Sequence, residues 1–122
     1  MSTEKSTVAI VRTSPETVLE DYARLMDLIN YDQILDKNKT TILKNNISWH
    51  LLYPSANSTP WQVEGVTKKL QTDGFDDIVV VENRTVVTQA KKGEHLNNFT
   101  PVHEKYGLPV KYNFNPSDMR WV

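Results

Sequence analysis

The stretch STPWQVEGVTKKLQTDGFDDIVVVEN, residues 58–83, decides the fold, because it predicts a well-delimited helix followed by a buried strand. Ser58 or Thr59 is a suitable N-cap, and Pro60 is favoured at the first position of a helix. The apolar side chains that follow recur at helical spacing, at Trp61, Val63, Val66 and Leu70. We therefore expect a helix that begins at Pro60.

The strand after this helix gives the clearest strand signal in the chain. Gly74 stands where a left-handed helix C-cap is expected, and residues 78–81 form a continuous β-branched run. Residues 40–43 predict a shorter strand before the helix. Because a helix separates the two strands, we expect a parallel crossover connection between them.

The N-terminal region repeats the pattern of strand and helix. Residues 7–12, TVAIVR, predict a strand buried on both faces. Thr13 and Ser14 are candidate N-caps, and Glu16 is placed to form a capping box with Thr13. Apolar side chains at helical spacing over residues 18–29 predict the helix that follows.

The last third of the chain carries weaker signals. Residues 85–87 are able to continue the preceding strand, residues 91–94 are typical of a polar loop, and residues 103–106 predict one helical turn. Residues 108–112 predict a further strand. The fold class that follows is α/β, with a mostly parallel sheet of about four strands flanked by helices in Rossmann-like layers. We expect residues 1–122 to form a single domain.

Composition places the chain among globular proteins. Hydrophobic residues make up 39% and charged residues 24% of the sequence, far from a disordered composition. The net charge of −1 argues against nucleic acid as a partner, since neutralising phosphates requires clustered Lys and Arg.

The sequence contains no cysteine, which excludes disulfides, thiolate metal ligands and cysteine nucleophiles within it. Its first six residues, MSTEKS, are polar and lack the apolar core of a secretory signal. No apolar run approaches the ~20 residues that span a bilayer. We therefore expect a cytoplasmic location and no membrane partner.

The last four residues, MRWV at 119–122, are apolar and aromatic, whereas chain ends are usually polar. Either these residues pack on the sheet, or the chain is the first portion of a larger fold. We expect the second, an incomplete domain.

The carboxyl ends of parallel strands are where open α/β sheets bind their ligands. The helix start at Ser58 and Thr59 should point to the same edge, where free N–H groups and the helix dipole favour an anion. Three polar clusters follow predicted strands: Arg12-Thr13-Ser14, Lys44-Asn45-Asn46 and Glu82-Asn83-Arg84.

These residue types predict a site for a phosphate or a carboxylate. Lys44 and Arg12 are the expected charge partners, Asn46 is the expected hydrogen-bond donor, and Glu82 is placed to accept from a hydroxyl or to act as an acid or base. A structural interpretation stays open, because loops after strands are commonly polar and capping alone explains Ser-Thr-Pro.

No catalytic, metal or cofactor signature is present in the sequence. His50, His95 and His103 show no metal-ligand spacing, and no dinucleotide, nucleoside-triphosphate or nucleophile-elbow motif occurs. We therefore predict no metal and no cofactor for these residues. The class of reaction, if there is one, stays undetermined.

The order of these pieces resembles the N-terminal part of the family known as domain of unknown function 362. The family tends to have a strand ending in Lys-Pro-Asn, a Thr/Pro helix start, and a glycine followed by a strand that ends in an acidic residue. The corresponding pieces here are residues 8–12, 42–47, 58–60 and 74–82. The resemblance covers residues 7–112 and implies that Lys44, Asn46 and Glu82 are site positions.

Two departures from the family pattern bear on what the resemblance implies. Asn45 stands where the family usually has proline, which alters the expected loop geometry. Family members are generally longer, and some carry a cysteine-rich ferredoxin-like module for which this sequence has no ligands. The family has no settled activity, so the resemblance implies a fold rather than a function.

Two hypotheses about function remain at this point. In the first, the chain binds an anionic small molecule at the strand ends. In the second, it is a non-enzymatic scaffold or interaction domain that docks a protein partner, or the missing C-terminal region of a longer, iron–sulfur-associated protein. The apolar C-terminal residues 119–122 favour the second hypothesis, which predicts an exposed apolar patch.

Overall fold

The computed structural model describes residues 5–120, which form short helices and strands that follow one another along the chain. The helices are α1 (Val18–Leu28), α2 (Tyr31–Ile34), α3 (Pro60–Thr72), α4 (Ala90–Leu96) and α5 (Phe99–Lys105). The strands are β1 (Thr41–Leu43), β2 (Ile78–Glu82) and β3 (Val110–Tyr112). Trp121 and Val122, from the apolar C-terminal end, lie outside the described residues.

The three strands form one parallel sheet in the order β1-β2-β3. Leu43 lies opposite Val80, and Glu82 lies opposite Tyr112. The parallel crossover between β1 and β2 is therefore confirmed, as is an α/β fold with a small parallel sheet flanked by helices. This register also brings the carboxyl ends of all three strands to one edge.

The helices pack against one another beside the sheet. Helix α1 packs against α3, and α3 packs against α5. Gly65 permits the close contact between α1 and α3. A Cβ atom at this position would lie 2.8 Å from the Cβ of Tyr22, which is too close for two carbon atoms. The core beneath joins Leu70 and Phe75 to Ile78 and Val80 of β2. Within residues 5–120, no helix is both long enough and apolar enough to cross a bilayer.

Helix α3 follows its sequence pattern at both ends. It begins at Pro60, as predicted, and Gly74 beyond its end adopts a φ of 84°. The Phe75 N–H donates to the Leu70 carbonyl and the Gly74 N–H to that of Gln71, which is the Schellman arrangement. These bonds turn the chain directly into β2.

The predicted strand at residues 7–12 is wrong, because this segment has no regular secondary structure. Val8 and Ile10 are 79% and 87% exposed. A β-branched run becomes a strand only where a partner ladder receives its hydrogen bonds, and none of the three described strands pairs with this segment. The described residues therefore form three strands rather than four.

The predicted start of α1 is also wrong. The helix begins at Val18 with Thr17 at the N-cap, so the capping box between Thr13 and Glu16 does not form. Thr17 donates its hydroxyl to the Asp21 carboxylate, 2.6 Å away, and this contact replaces a cap to the backbone.

The segment after β2 differs most from its prediction. Residues 85–87 do not continue the strand, and residues 91–94 belong to α4 instead of a polar loop. Helix α4 buries Ala90, Gly93 and Glu94, and a Cβ at Gly93 would lie 2.6 Å from Cγ2 of Ile47. Tertiary packing of this face outweighs the polar composition of the segment.

The three strands lie side by side in the same order in which they follow one another along the chain. Among the described strands there is no reversal of order, which in doubly wound folds creates the ligand-binding crevice. Any site at the carboxyl edge must therefore be built from the loops and helices that follow each strand.

Candidate functional site

The structure brings Lys44 and Glu82 together at the carboxyl edge of the sheet. Lys44 directly follows β1 and Glu82 ends β2, and the Lys44 Nζ lies 3.2 Å from the Glu82 Oε2. The same ammonium donates to the backbone carbonyl of Asn45. The Lys44 side chain is 47% exposed, whereas the Glu82 side chain is 1% exposed. The ion pair thus joins a buried carboxylate to a cation that reaches solvent.

Burial dominates the proton affinity of Glu82. It raises the pKa of this carboxyl to about 6, against the opposing attraction of Lys44. Repulsion from Glu94 raises the pKa further. A carboxyl with this pKa exchanges its proton near neutral pH, which is a common property of functional sites.

Glu94 adds a second buried carboxyl from helix α4. Its Oε2 accepts a hydrogen bond from the Tyr112 hydroxyl at 3.0 Å, and burial raises its pKa. Burial and the neighbouring Glu94 also raise the pKa of Tyr112, which keeps the phenol protonated as a donor. The ends of β2 and β3 and helix α4 thus converge on one polar cluster.

His103 approaches the same edge from helix α5. Its Nε2 lies 3.4 Å from the Asn45 Nδ2, and burial lowers the pKa of the imidazole. Because the amide donates to Nε2, the neutral ring carries its proton on Nδ1. We define the strand-end cluster as Lys44, Asn45, Glu82, Glu94, His103 and Tyr112.

Three buried polar atoms of the strand-end cluster have no hydrogen bond of normal geometry within the described residues. They are the Oε1 atoms of Glu82 and Glu94 and the Nδ1 of His103. Buried polar atoms in folded proteins are nearly always paired, so such a concentration needs a physical reason. Among residues 5–120 no group of three His, Asp or Glu side chains is arranged to hold a metal ion.

A small cavity of about 140 Å³ adjoins the Lys44 end of the cluster. Lys44, Ser58 and Gln62 line it, with Val63 and Val66 as its apolar wall. The Ser58 Oγ accepts the backbone N–H of residue 46 at 3.0 Å, which leaves its hydroxyl proton available. The ammonium, the hydroxyl and the Gln62 amide are therefore three donors around one cavity.

The remaining predicted hydrogen-bond donors serve the backbone. Asn46 donates its side-chain amide to the Ala56 carbonyl at 2.7 Å, which closes the loop before α3. Thr59 is the N-cap of α3, and its carbonyl accepts the N–H groups of Gln62 and Val63. Because the N–H groups of Gln62 and Val63 already have this acceptor and Pro60 has no N–H, the helix N-terminus offers few free N–H groups to an anion.

Arg12 lies apart from these groups. It is exposed, and its neighbours Val11 and Thr13 line a small cavity against α1, together with Tyr22 and Leu25. The structure does not place the guanidinium with the Lys44–Glu82 pair. Of the two predicted charge partners, Lys44 is thus the one that the fold places beside Glu82 at the strand ends.

The loop that carries Ser58 is fixed by a buried amide network. The Asn57 Nδ2 shares its two hydrogens among three acceptors at 2.9–3.0 Å, the carbonyls of Trp49 and Leu51 and the Asn97 Oδ1. The Asn57 Oδ1 accepts the Trp49 N–H at 3.2 Å. This network ties the loop to helix α4 and holds the cavity wall in place.

Several residues of the site were not predicted from the sequence. The sequence predicts a polar loop at Glu94 and no role for His103, and it carries no motif that indicates Tyr112 or Gln62. Tyr112 could have been found, because it ends a strand parallel to β2 and so lies at the same edge. Glu94 and His103 depend on the packing of α4 and α5, for which the sequence offers no local signal.

Comparisons with known proteins found no family model, no curated protein and no solved structure that matches this chain. The resemblance to the domain of unknown function 362 family stays a prediction. The functional argument therefore rests on the geometry of the strand-end cluster and its cavity.

Proposed function

We propose that the chain binds an anionic small molecule, through its phosphate or carboxylate group, in the cavity beside Lys44. Three donors support this proposal: the Lys44 ammonium, the Ser58 hydroxyl and the Gln62 amide all line the cavity. The ammonium has three hydrogens, and two of them have acceptors within the described residues. The third is available to a ligand.

The observation that carries the proposal is the position of Lys44. Its ammonium is held by a buried carboxylate and by a backbone carbonyl, yet nearly half of its side chain is exposed. A long cationic side chain that is already ordered loses little further entropy when an anion binds. In this proposal Glu82 both orients Lys44 and accepts or releases a proton beside the ligand.

The test must remove Lys44 without leaving Glu82 as an unpaired buried charge, which would be strongly destabilising by itself. We would compare Glu82→Gln with the double variant Glu82→Gln/Lys44→Met. Titration calorimetry with sulfate, which keeps its charge near neutral pH, measures binding. The proposal expects the single variant to bind sulfate and the double variant to lose at least tenfold in affinity.

Lys111→Met in the Glu82→Gln background is the matched control. Lys111 is also about half exposed and paired with a carboxylate, that of Asp118, at 3.3 Å. Its removal changes the net charge equally but should leave sulfate binding unchanged. Equal losses in both lysine variants, or none in either, would contradict the assignment of the site to Lys44.

A second candidate function is the docking of a protein partner, and the edge of β1 favours it. A groove of about 540 Å³ runs beside this edge, with Ile34 and Ile42 among its lining side chains. These two side chains are 73% and 63% exposed, and β1 is paired on one side only among the described strands. An open strand edge beside apolar surface is a typical site for an added strand.

This second candidate is tested through self-association and dye binding. The groove predicts binding of a hydrophobic dye that Ile42→Glu abolishes without loss of the folded state. The same edge is where a fourth strand of a Rossmann-like sheet would be added. A wild-type chain that is monomeric and binds no dye would remove this candidate.

A further inference from the structure

Glu82 and Lys44 share one contact, so an anion at Lys44 must also act on Glu82. The Glu82 Oε2 lies 3.2 Å from the Nζ that the proposed ligand would approach. The carboxylate is buried, and its other oxygen has no hydrogen bond of normal geometry within the described residues. Any negative charge added at the cavity is therefore poorly screened from this carboxylate.

The groups that face Glu82 from the surrounding elements offer little compensation. Lys44, after β1, is the one cation of the strand-end cluster. Glu94 on α4 is a second buried carboxyl, and Tyr112 at the end of β3 directs its hydroxyl to Glu94. His103 on α5 is buried, and this burial lowers its pKa and so favours the neutral ring. The Nζ of Lys91 on α4 lies 5.2 Å from the Tyr112 ring centroid and offsets the charge of Glu94. Glu82 has Lys44 as its own cation, so an ionised Glu82 repels an anion that approaches Lys44.

We propose that anion binding at Lys44 is coupled to the uptake of one proton from solvent by the Glu82 carboxylate. This inference rests on the proposed function. The bound state holds the anion on the Lys44 ammonium and a neutral carboxyl at Glu82, so the added proton offsets one unit of the added negative charge. The protonated carboxyl also supplies a donor where the ionised carboxylate offers only acceptors.

The size of the coupling follows from electrostatics. Two unit charges roughly 6 Å apart in a medium of effective dielectric about 20 change a proton affinity by roughly a hundredfold. The carboxyl of Glu82 should therefore be mostly ionised in the free chain and mostly protonated in the complex near neutral pH. By linkage, the dissociation constant for sulfate rises as pH rises, by up to tenfold per pH unit.

The experiment is a calorimetric titration with sulfate at several pH values between about 5.5 and 8. Running each titration in two cationic buffers of different ionisation enthalpy, Bis-Tris and imidazole, gives the number of protons taken up. We expect an uptake approaching one proton near pH 7 in the wild-type chain. In Glu82→Gln the uptake should vanish and the affinity should become independent of pH.

Two further variants fix the assignment. Glu104→Gln removes an exposed carboxylate of the same chain and should retain the wild-type uptake. Glu94→Gln should still take up a proton, but at lower pH than wild type, because removing this carboxylate lowers the pKa of Glu82. Loss of uptake in Glu94→Gln but not in Glu82→Gln would overturn that assignment.

The remaining outcomes separate this inference from the proposed function. Sulfate that binds with no proton uptake in the wild-type chain would overturn the coupling and leave the anion site standing. Sulfate that does not bind the wild-type chain at any of these pH values would overturn the anion site itself. The proton count is made on the wild-type chain, so it stands even if a variant fails to fold.

Discussion

Replacing Glu82 with glutamine is expected to remove a pH dependence from the stability of the chain. The pKa of this carboxyl is about 6 in the folded chain, against an ordinary value of 4.5. A rise of the pKa from 4.5 to about 6 corresponds to about 2 kcal/mol of unfolding free energy. Burial is the main cause, because it penalises the ionised form more than Lys44 stabilises it.

The direction follows from the raised pKa. A group whose folded pKa exceeds its unfolded pKa contributes stability that is complete below the unfolded value and is lost as pH rises through the folded value. The wild-type chain should therefore lose about 2 kcal/mol from this group between about pH 4 and 7.5. Glutamine does not titrate. The unfolding free energy of Glu82→Gln minus that of wild type should therefore increase by this amount as pH rises through this range.

Urea unfolding at a series of pH values measures this difference directly. Glu64→Gln is the matched control, since hydrogen bonding from Lys105 lowers the pKa of Glu64. The unfolding free energy of Glu64→Gln minus that of wild type should decrease as pH rises, and it should change only below about pH 5. A difference for Glu82→Gln that is flat with pH, or that decreases as pH rises, would refute our interpretation of this carboxyl.

Two further predictions concern the packing that supports the site. Asn57→Ala removes an amide whose two N–H hydrogens are shared among three acceptors and whose oxygen accepts one bond, and should destabilise the chain by about 3 kcal/mol in urea unfolding. A loss below about 1 kcal/mol would contradict the role given to this amide. Gly65→Ala places a Cβ 2.8 Å from Tyr22 and should cost about 1–3 kcal/mol by the same assay. A neutral or stabilising effect would show that α1 and α3 separate easily.

Strong local signals made part of the fold predictable from the sequence. Helix α3 carries a proline at its first position and a left-handed glycine, Gly74, after its end. These features depend on backbone geometry alone, so they hold without knowledge of the tertiary structure. The strand predicted at residues 78–81 is confirmed as part of β2, but its burial alternates: Ile78 and Val80 are buried, whereas Val79 and Val81 are only half-buried.

The errors arose where tertiary partners decide the outcome. Residues 7–12 have the composition of a strand but lack a ladder partner among the described strands. Residues 91–94 have the composition of a loop, yet Gly93 lets α4 approach Ile47 closely enough for a helix to be buried there. Composition cannot reveal either fact.

The candidate site was also predictable only in part, where it depends on the two predicted strands β1 and β2. The pairing of Lys44 with Glu82 follows from their positions after neighbouring parallel strands. Arg12 was expected at the same edge only because residues 7–12 were expected to be a strand, and without that strand it lies elsewhere. Glu94 reaches the cluster through a helix that the sequence did not predict.

The central claim is that Lys44 holds an anion at the carboxyl ends of the strands. Its most direct test is sulfate titration calorimetry on Glu82→Gln and on Glu82→Gln/Lys44→Met at neutral pH, with folding verified by circular dichroism. We predict that Glu82→Gln binds sulfate at least as tightly as wild type, and that adding Lys44→Met weakens binding at least tenfold. Sulfate binding that is absent from all three proteins, or unchanged when Lys44 is removed, would contradict the claim.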